Sequence, residues 1–190
     1  MLKWAIPTIL LTLLGTFPAF AKPPIRVING AVTRVTDGDT VQVIDSSGVK
    51  VKVRLFGIDA PETEKRNSRT KAVVKPGQPY GGEAHQALRH KVAGKQVAAE
   101  IMDIDRYKRS VAILRLGNRD INQEMVREGW AWAYRQYLDR PHASGYIASE
   151  AAARRERLGL WQQGNPQPPW EFRKALRGKG RQPKPRGTAP

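Results

Sequence analysis

From Val27 onward the chain alternates apolar and polar residues at a period of two, the pattern of half-buried strands. Val27 and Ile28, then residues 31–36, read as strand, with a turn at Asp37-Gly38. Residues 40–44 form the next strand, and Asp45-Ser46-Ser47-Gly48 is a second turn signal. Over 49–58, Lys50, Lys52 and Arg54 fall on one face while Val51, Val53 and Leu55 fall on the other. These runs predict a three-stranded antiparallel meander. Residues 62–79 carry no hydrophobic period beyond Ala72-Val73-Val74 and are expected to form a long, mobile loop. Ala84, Ala87, Leu88 and Val92 repeat at helical spacing, predicting a helix over 83–92 with Gly94 as its stop. Residues 96–104 and 110–116 return to strand character across a polar hinge at 105–109. A short helix over 121–128 ends at Gly129. A last helix over 146–158 starts from Ser144 as N-cap and closes at Gly159. Five strands interleaved with one helix and followed by two more predict an α+β fold. Its form is a five-stranded oligonucleotide-binding-type β-barrel with about three α-helices.

Composition changes this picture mainly at the two ends. The 190 residues, 40% hydrophobic, suffice for one domain with a real core. The absence of cysteine excludes disulfides, thiolate metal sites and a cysteine nucleophile. Met1-Leu2-Lys3, an apolar run over 5–17 and Ala19-Phe20-Ala21 match a cleavable signal peptide over 1–21. That run contains Pro7 and Gly15, is followed by Pro18, and is too short to span a bilayer comfortably. The expectation is a secreted or periplasmic monomer with no stable membrane span after cleavage. The folded domain is then 22–163. Residues 164–190 carry seven Lys or Arg against Glu171 and are expected to be a basic, disordered tail. A net charge of +16 predicts attraction to polyanions, and does not choose between nucleic acid, anionic lipid and acidic glycans.

Candidate chemistry lies at the strand ends. Asp37 and Asp39 flank Gly38, and Asp59 and Glu62 bracket Pro61. If those strands are neighbours, their carboxylates converge, and such oxygen donors suit a hard cation such as calcium. His85, His90 and His142 lack the i, i+4 spacing of a helical zinc site. Singly, each acidic pair reads as an ordinary turn and Arg54 as a solvated strand residue. Together they supply what phosphoryl chemistry needs: a cation site to polarise phosphate, and guanidinium groups for the developing charge.

The blocks Asp37-Gly38-Asp39-Thr40 and Arg54-Leu55-Phe56-Gly57-Ile58-Asp59-Ala60-Pro61-Glu62-Thr63 resemble the two signature blocks of the staphylococcal nuclease family. Tyr80-Gly81-Gly82-Glu83-Ala84, Asp105-Arg106-Tyr107-Lys108-Arg109 and the helical stretches 122–129 and 150–161 resemble later family blocks, in order. The resemblance implies a calcium-dependent phosphodiesterase acting on DNA and RNA, single-stranded or frayed, leaving a 5′-hydroxyl and a 3′-phosphate. It implies calcium ligation by Asp39, Asp59 and the Ala60 carbonyl. Glu62 would orient or deprotonate the attacking water, and Arg54 and Arg109 would clamp the phosphate. Tyr107 and Tyr134 would line the nucleotide pocket. Lys108 stands where the family usually has glycine; a left-handed backbone there would cost roughly 1 kcal/mol. Residues 64–79 form a longer, more basic loop than the family's.

Two other classes remain open on sequence grounds. One is a barrel that binds nucleic acid without cleaving it, which has no need for every charged group named above. The other is a basic surface protein for lipid or glycan, which leaves the ordered acidic blocks unexplained. Trp132 and Tyr134 read equally well as core aromatics or stacking platforms, and Trp161 as a residue that packs the last helix onto the barrel.

Overall fold

The computed structural model describes residues 23–138 and 142–179. The expected leader, 1–21, and the end of the tail, 180–190, lie outside them. The first three strands follow the predicted meander: β1 (Arg26–Asp37), β2 (Thr40–Asp45) and β3 (Lys50–Leu55). β1 runs unbroken through Gly30, where a side chain would lie 2.2 Å from the Ile44 carbonyl oxygen of β2. Only glycine allows that approach. Register shifts against β2 between Val32 and Arg34, and between Val35 and Asp37, bend this long strand so that it can serve a closed sheet. β7 (Gln96–Ile104) pairs with β1, β8 (Ser110–Leu116) with β7, and the short β9 (Arg119–Asp120) with β8. A parallel pairing of β3 with β8 closes the five-stranded barrel.

The strand expected over 49–58 is interrupted at Gly57, whose φ of 69° turns the chain out of β3. Ile58 and Asp59 form a separate strand, β4, which pairs antiparallel with β10 (Trp132–Ala133). The expected loop over 62–79 contains a small hairpin of β5 (Lys65–Arg66) and β6 (Val73–Lys75). Polar bonds hold it: the Asn67 side chain accepts from the backbone N–H groups of Arg69 and Thr70, and Arg66 donates to the Lys71 carbonyl. Order of this kind leaves no hydrophobic period in the sequence.

Helix α1 (Gly81–Val92) buries Ala84, Leu88 and Val92 on the barrel. Helix α2 (Ile121–Arg127) is N-capped by Asp120, whose side chain accepts from the Gln123 N–H. Helix α3 runs His142–Arg155, so Ser144 lies within it rather than at its cap, and it ends before Leu158. The core is continuous between the barrel interior and these helices, with Val41, Val53, Leu55, Ile101, Leu114 and Met125 among its fully buried members. Asn122 staples α2 to the barrel from inside. Its oxygen accepts from the Leu114 N–H, and its amide donates to the carbonyls of Phe56 and Ala112.

The tail departs most from expectation. Its first part folds as a fourth helix, α4 (Pro169–Lys179), which packs back against the body of the molecule. The physical reason is local: Trp170 joins a cluster with Trp132, Leu160 and Trp161, and Arg173 finds carboxylate partners. No helix among the described residues is long and apolar enough to cross a membrane.

Candidate active site

Asp39 sits in the two-residue connection between β1 and β2, and Thr40 is paired across the sheet with Arg54 of β3. This register brings the Arg54 guanidinium to the hairpin end, where it donates to Asp39 Oδ2 at 2.7 Å. Its other terminal nitrogen donates to Asp59 Oδ1 at 2.8 Å. The hairpin end must pack closely, since a side chain on Gly38 would come within 2.7 Å of Ala60 Cβ and 2.8 Å of Ala84 Cβ. Asp39 also accepts from the Thr40 hydroxyl and, at 3.4 Å, from the Ala60 N–H. Both acids are buried; the Asp59 side chain is 0% exposed.

Burial sets the electrostatics. It pushes the Asp59 carboxyl above its ordinary value, against the opposing hydrogen bond from Arg173. Burial also raises Asp39 and is the largest single effect there, but Arg54 together with hydrogen bonds from Asp37, Thr40 and the Ala60 N–H holds that carboxyl below its ordinary value. Asp37 is pushed up to about 7, first by burial and then by the neighbouring Asp39 charge.

Glu62 reaches the same cluster because the chain after β4 is clamped to the start of α1. The Glu62 N–H donates to the Gln78 side chain, and the Gln78 N–H donates back to the Glu62 carbonyl. A side chain on Gly81 would lie 2.2 Å from that carbonyl oxygen, so glycine is required at the entry to α1. Glu62 Oε2 accepts from Lys75 of β6, and Oε1 accepts from Arg173 at 2.9 Å.

The structure therefore brings Asp39, Arg54, Asp59, Ala60 and Glu62 together, as the sequence blocks imply. It holds Arg109 and Tyr107 slightly apart. Both lie in the 105–109 turn, where Asp105 Oδ1 accepts from the backbone N–H groups of Tyr107 and Arg109. Asp105 Oδ2 accepts from Arg109 Nε at 2.7 Å. Among the described residues no hydrogen bond or ion pair joins Arg109 to Asp39, Asp59 or Glu62. The β3–β8 pairing nonetheless sets Arg54 beside Val111, two residues beyond Arg109, so both arginines leave the same region of the barrel. Lys108 has φ 60°, so the position does call for the left-handed backbone that favours glycine. Tyr107 is exposed, with the guanidinium groups of Arg106 and Arg109 over its ring.

Tyr134 is delivered by β10. Trp132 pairs opposite Asp59, and the Tyr134 N–H donates to the Gly57 carbonyl, so the phenol follows directly beside the acid cluster. Trp132 is a core residue, packed edge-on against Trp161, whereas Tyr134 is partly exposed. Burial, and next the charge of Asp59, push the Tyr134 hydroxyl upward. The buried Glu150 of α3 accepts from the Ala133 N–H at 2.8 Å and so anchors β10. Sequence reasoning did not single out Glu150, although its i, i+4 ion pair with Arg154 is visible in the spacing. It also missed Lys75 and Arg173, which sit in segments without periodicity.

The donor set fits a hard cation. Asp39 and Asp59 offer carboxylate oxygens from separate strands within the span of one guanidinium, and Asp37 Oδ1 is buried without a hydrogen-bond partner. Among the described residues no three His, Asp or Glu side chains group in ligating geometry.

A closed barrel carrying a buried acid–guanidinium cluster beside its first hairpin defines an oligonucleotide-binding-type barrel of the α+β class. Residues 52–163 match the family model described as staphylococcal nuclease homologue. The chain is 34% identical over 172 residues to a protein named micrococcal nuclease from Shigella flexneri, covering 86% of this chain and 87% of that one. It is 37% identical over 147 residues to an uncharacterized endonuclease of Escherichia coli O157:H7, covering 77% and 85% of the two chains. A staphylococcal-like nuclease of Arabidopsis thaliana is 36% identical over 129 residues, 68% of this chain and 35% of that one. The chain belongs to the staphylococcal nuclease family.

Proposed function

We propose that this protein is an exported, calcium-dependent nuclease that hydrolyses phosphodiester bonds of DNA and RNA and leaves 3′-phosphate ends. The observation that carries the reading is Arg54 bridging two buried carboxylates, Asp39 and Asp59, with Glu62 alongside. A barrel that only binds polyanions has no use for buried negative charge at its binding surface, because each carboxylate repels phosphate and is expensive to desolvate. The names of the relatives, nuclease and endonuclease, support the same class. Export rests on the leader-like pattern over 1–21.

In this reading Asp39, Asp59 and the Ala60 carbonyl would hold calcium, which would supply Lewis-acid polarisation of the phosphate. Glu62 orients the attacking water or takes its proton. The water oxygen bonds to phosphorus as the bond to the 5′ oxygen breaks, and the leaving oxygen takes a proton from solvent water to depart as a 5′-hydroxyl. Arg54 and Arg109 donate to the phosphoryl oxygens as negative charge accumulates there. Asp105 presets the direction of Arg109, and Tyr107 and Tyr134 flank the nucleotide. The binding of single-stranded or frayed substrate follows from a site built of side chains at a barrel rim, where splayed bases can reach an aromatic face.

The test is digestion of single-stranded DNA by the chain lacking residues 1–21, with calcium, with magnesium and with chelator. Cleavage that requires calcium and leaves 3′-phosphate ends is the expected result. Binding without cleavage under every metal would overturn the proposal in favour of a nucleic-acid-binding module. Binding to anionic vesicles or heparin alone would favour a surface protein.

A further inference from the structure

Helix α4 presents two side chains, three positions apart and so on one face, to the two halves of the candidate site. Trp170 lies flat on Tyr134, with ring centroids 5.0 Å apart and planes 2° apart. Arg173 donates to both oxygens of Asp59, at 2.7 and 3.1 Å, and to Glu62 Oε1 at 2.9 Å. Trp170 thus fills the position of a stacked base, and Arg173 supplies positive charge where a cation would sit. With α4 docked, Glu62 is held by Lys75 on one oxygen and Arg173 on the other, and Asp59 Oδ1 is shared by Arg54 and Arg173. Both oxygens of Glu62 are thus occupied by cationic donors, and Asp59 has no free oxygen.

We infer that α4 is an autoinhibitory plug, which occupies the cation and base positions of the site and must leave before calcium and nucleic acid bind. The inference rests on the nuclease reading for the identity of those positions. Its hold is built to be broken. The linker Gln163-Gly164-Asn165-Pro166-Gln167-Pro168 separates α4 from the rest of the chain, and among the described residues no backbone hydrogen bond joins α4 to the barrel. Besides the packing of Pro169, Phe172 and Leu176, its docking rests on the Trp170 and Arg173 contacts and a side-chain bond from Gln78 to the Gln167 carbonyl. The segment from Gly164 onward carries seven cations against one acid, so a polyanion attracts it more strongly than two carboxylates do. Nucleic acid would then draw off the plug as it arrives, coupling activity to the presence of substrate.

The experiment uses the full chain from residue 22 in four forms: unaltered, Arg173→Gln, Trp170→Ala, and Ala175→Gln, an exposed and uncharged position, as a control on the same helix. Calcium chloride binding is measured by calorimetry, and single-stranded DNA cleavage is followed against calcium concentration. Hydrogen exchange over 169–179 is measured on the unaltered chain with calcium and a phosphorothioate oligonucleotide. A plug closed in nine chains of ten weakens apparent affinity about tenfold. Arg173→Gln is therefore expected to bind calcium about tenfold more tightly, Trp170→Ala to lower KM for DNA, and Ala175→Gln to change neither. The α4 amides of the unaltered chain should lose protection when both probes are added. Unchanged calcium affinity in Arg173→Gln, or α4 amides still protected with both probes bound, would overturn the plug. These outcomes separate from failure of the nuclease reading. A chain that cleaves nothing but gains calcium affinity in Arg173→Gln keeps the plug and loses the nuclease; active chains with identical constants do the reverse.

Discussion

Arg54 holds the wholly buried carboxylate of Asp59 at 2.8 Å while its second terminal nitrogen holds Asp39 at 2.7 Å. One guanidinium thereby bridges two buried acids, of which Asp59 is also held by Arg173. In the proposed nuclease the same group would also face the developing phosphoryl charge, so its structural and proposed catalytic duties separate only when calcium is varied.

Arg54→Met is expected to destabilise the chain by about 3–5 kcal/mol in chelator, because it leaves the buried Asp39 without its cationic partner and Asp59 with Arg173 alone. Calcium should restore part of that loss, while turnover stays at least about a hundredfold down. Thermal melting with and without calcium chloride, paired with cleavage rates, checks both. Equal melting temperatures for variant and parent in chelator would refute the structural half.

Asn122→Ala should cost about 3 kcal/mol, since it strands the Leu114 N–H and the Phe56 carbonyl in the core and leaves the Ala112 carbonyl with the Phe56 N–H alone. Urea unfolding measures it. A loss below about 1 kcal/mol would mean that water replaces the side chain.

Lys108→Gly relieves a left-handed backbone at φ 60°, and should stabilise by up to about 1 kcal/mol, offset in part by the freedom glycine adds to the unfolded chain. Cleavage should stay within about threefold of the parent, because Asp105 rather than residue 108 directs the Arg109 side chain. A large loss of activity would assign Lys108 a phosphate contact.

Glu124 is drawn down to about 2, first by Arg119 and, beyond the opposing effect of burial, by Lys91. A carboxyl depressed in the folded state adds stability above its unfolded value near 4.5, and that stability fades as pH falls towards 2. The cluster is open to solvent, so after discounting for screening its worth is below about 1 kcal/mol. Glu124→Gln should therefore melt slightly earlier than the parent at pH 7, and together with it near pH 2. A difference that persisted at pH 2 would attribute the effect to packing.

Much of the barrel, and the charged blocks that converge at its first hairpin, were legible in the amino-acid order. Period-two alternation sets which face of β3 carries Lys52 and Arg54, and short-range turn chemistry sets the hairpin that presents Asp39. Both depend on neighbours a few residues apart, which a linear reading can see. What only the tertiary structure decided lies at long range or in polar segments. The pairing of Trp132 with Asp59 joins residues more than seventy positions apart, and nothing in either dipeptide announces it. The hairpin of β5 and β6 is held by side-chain–backbone bonds that leave no hydrophobic period. Helix α4 is the clearest case. By composition its segment is too polar and basic to bury a core, and that remains true; it is ordered because Trp170 and Arg173 meet an aromatic face and two carboxylates that exist only once the barrel has closed.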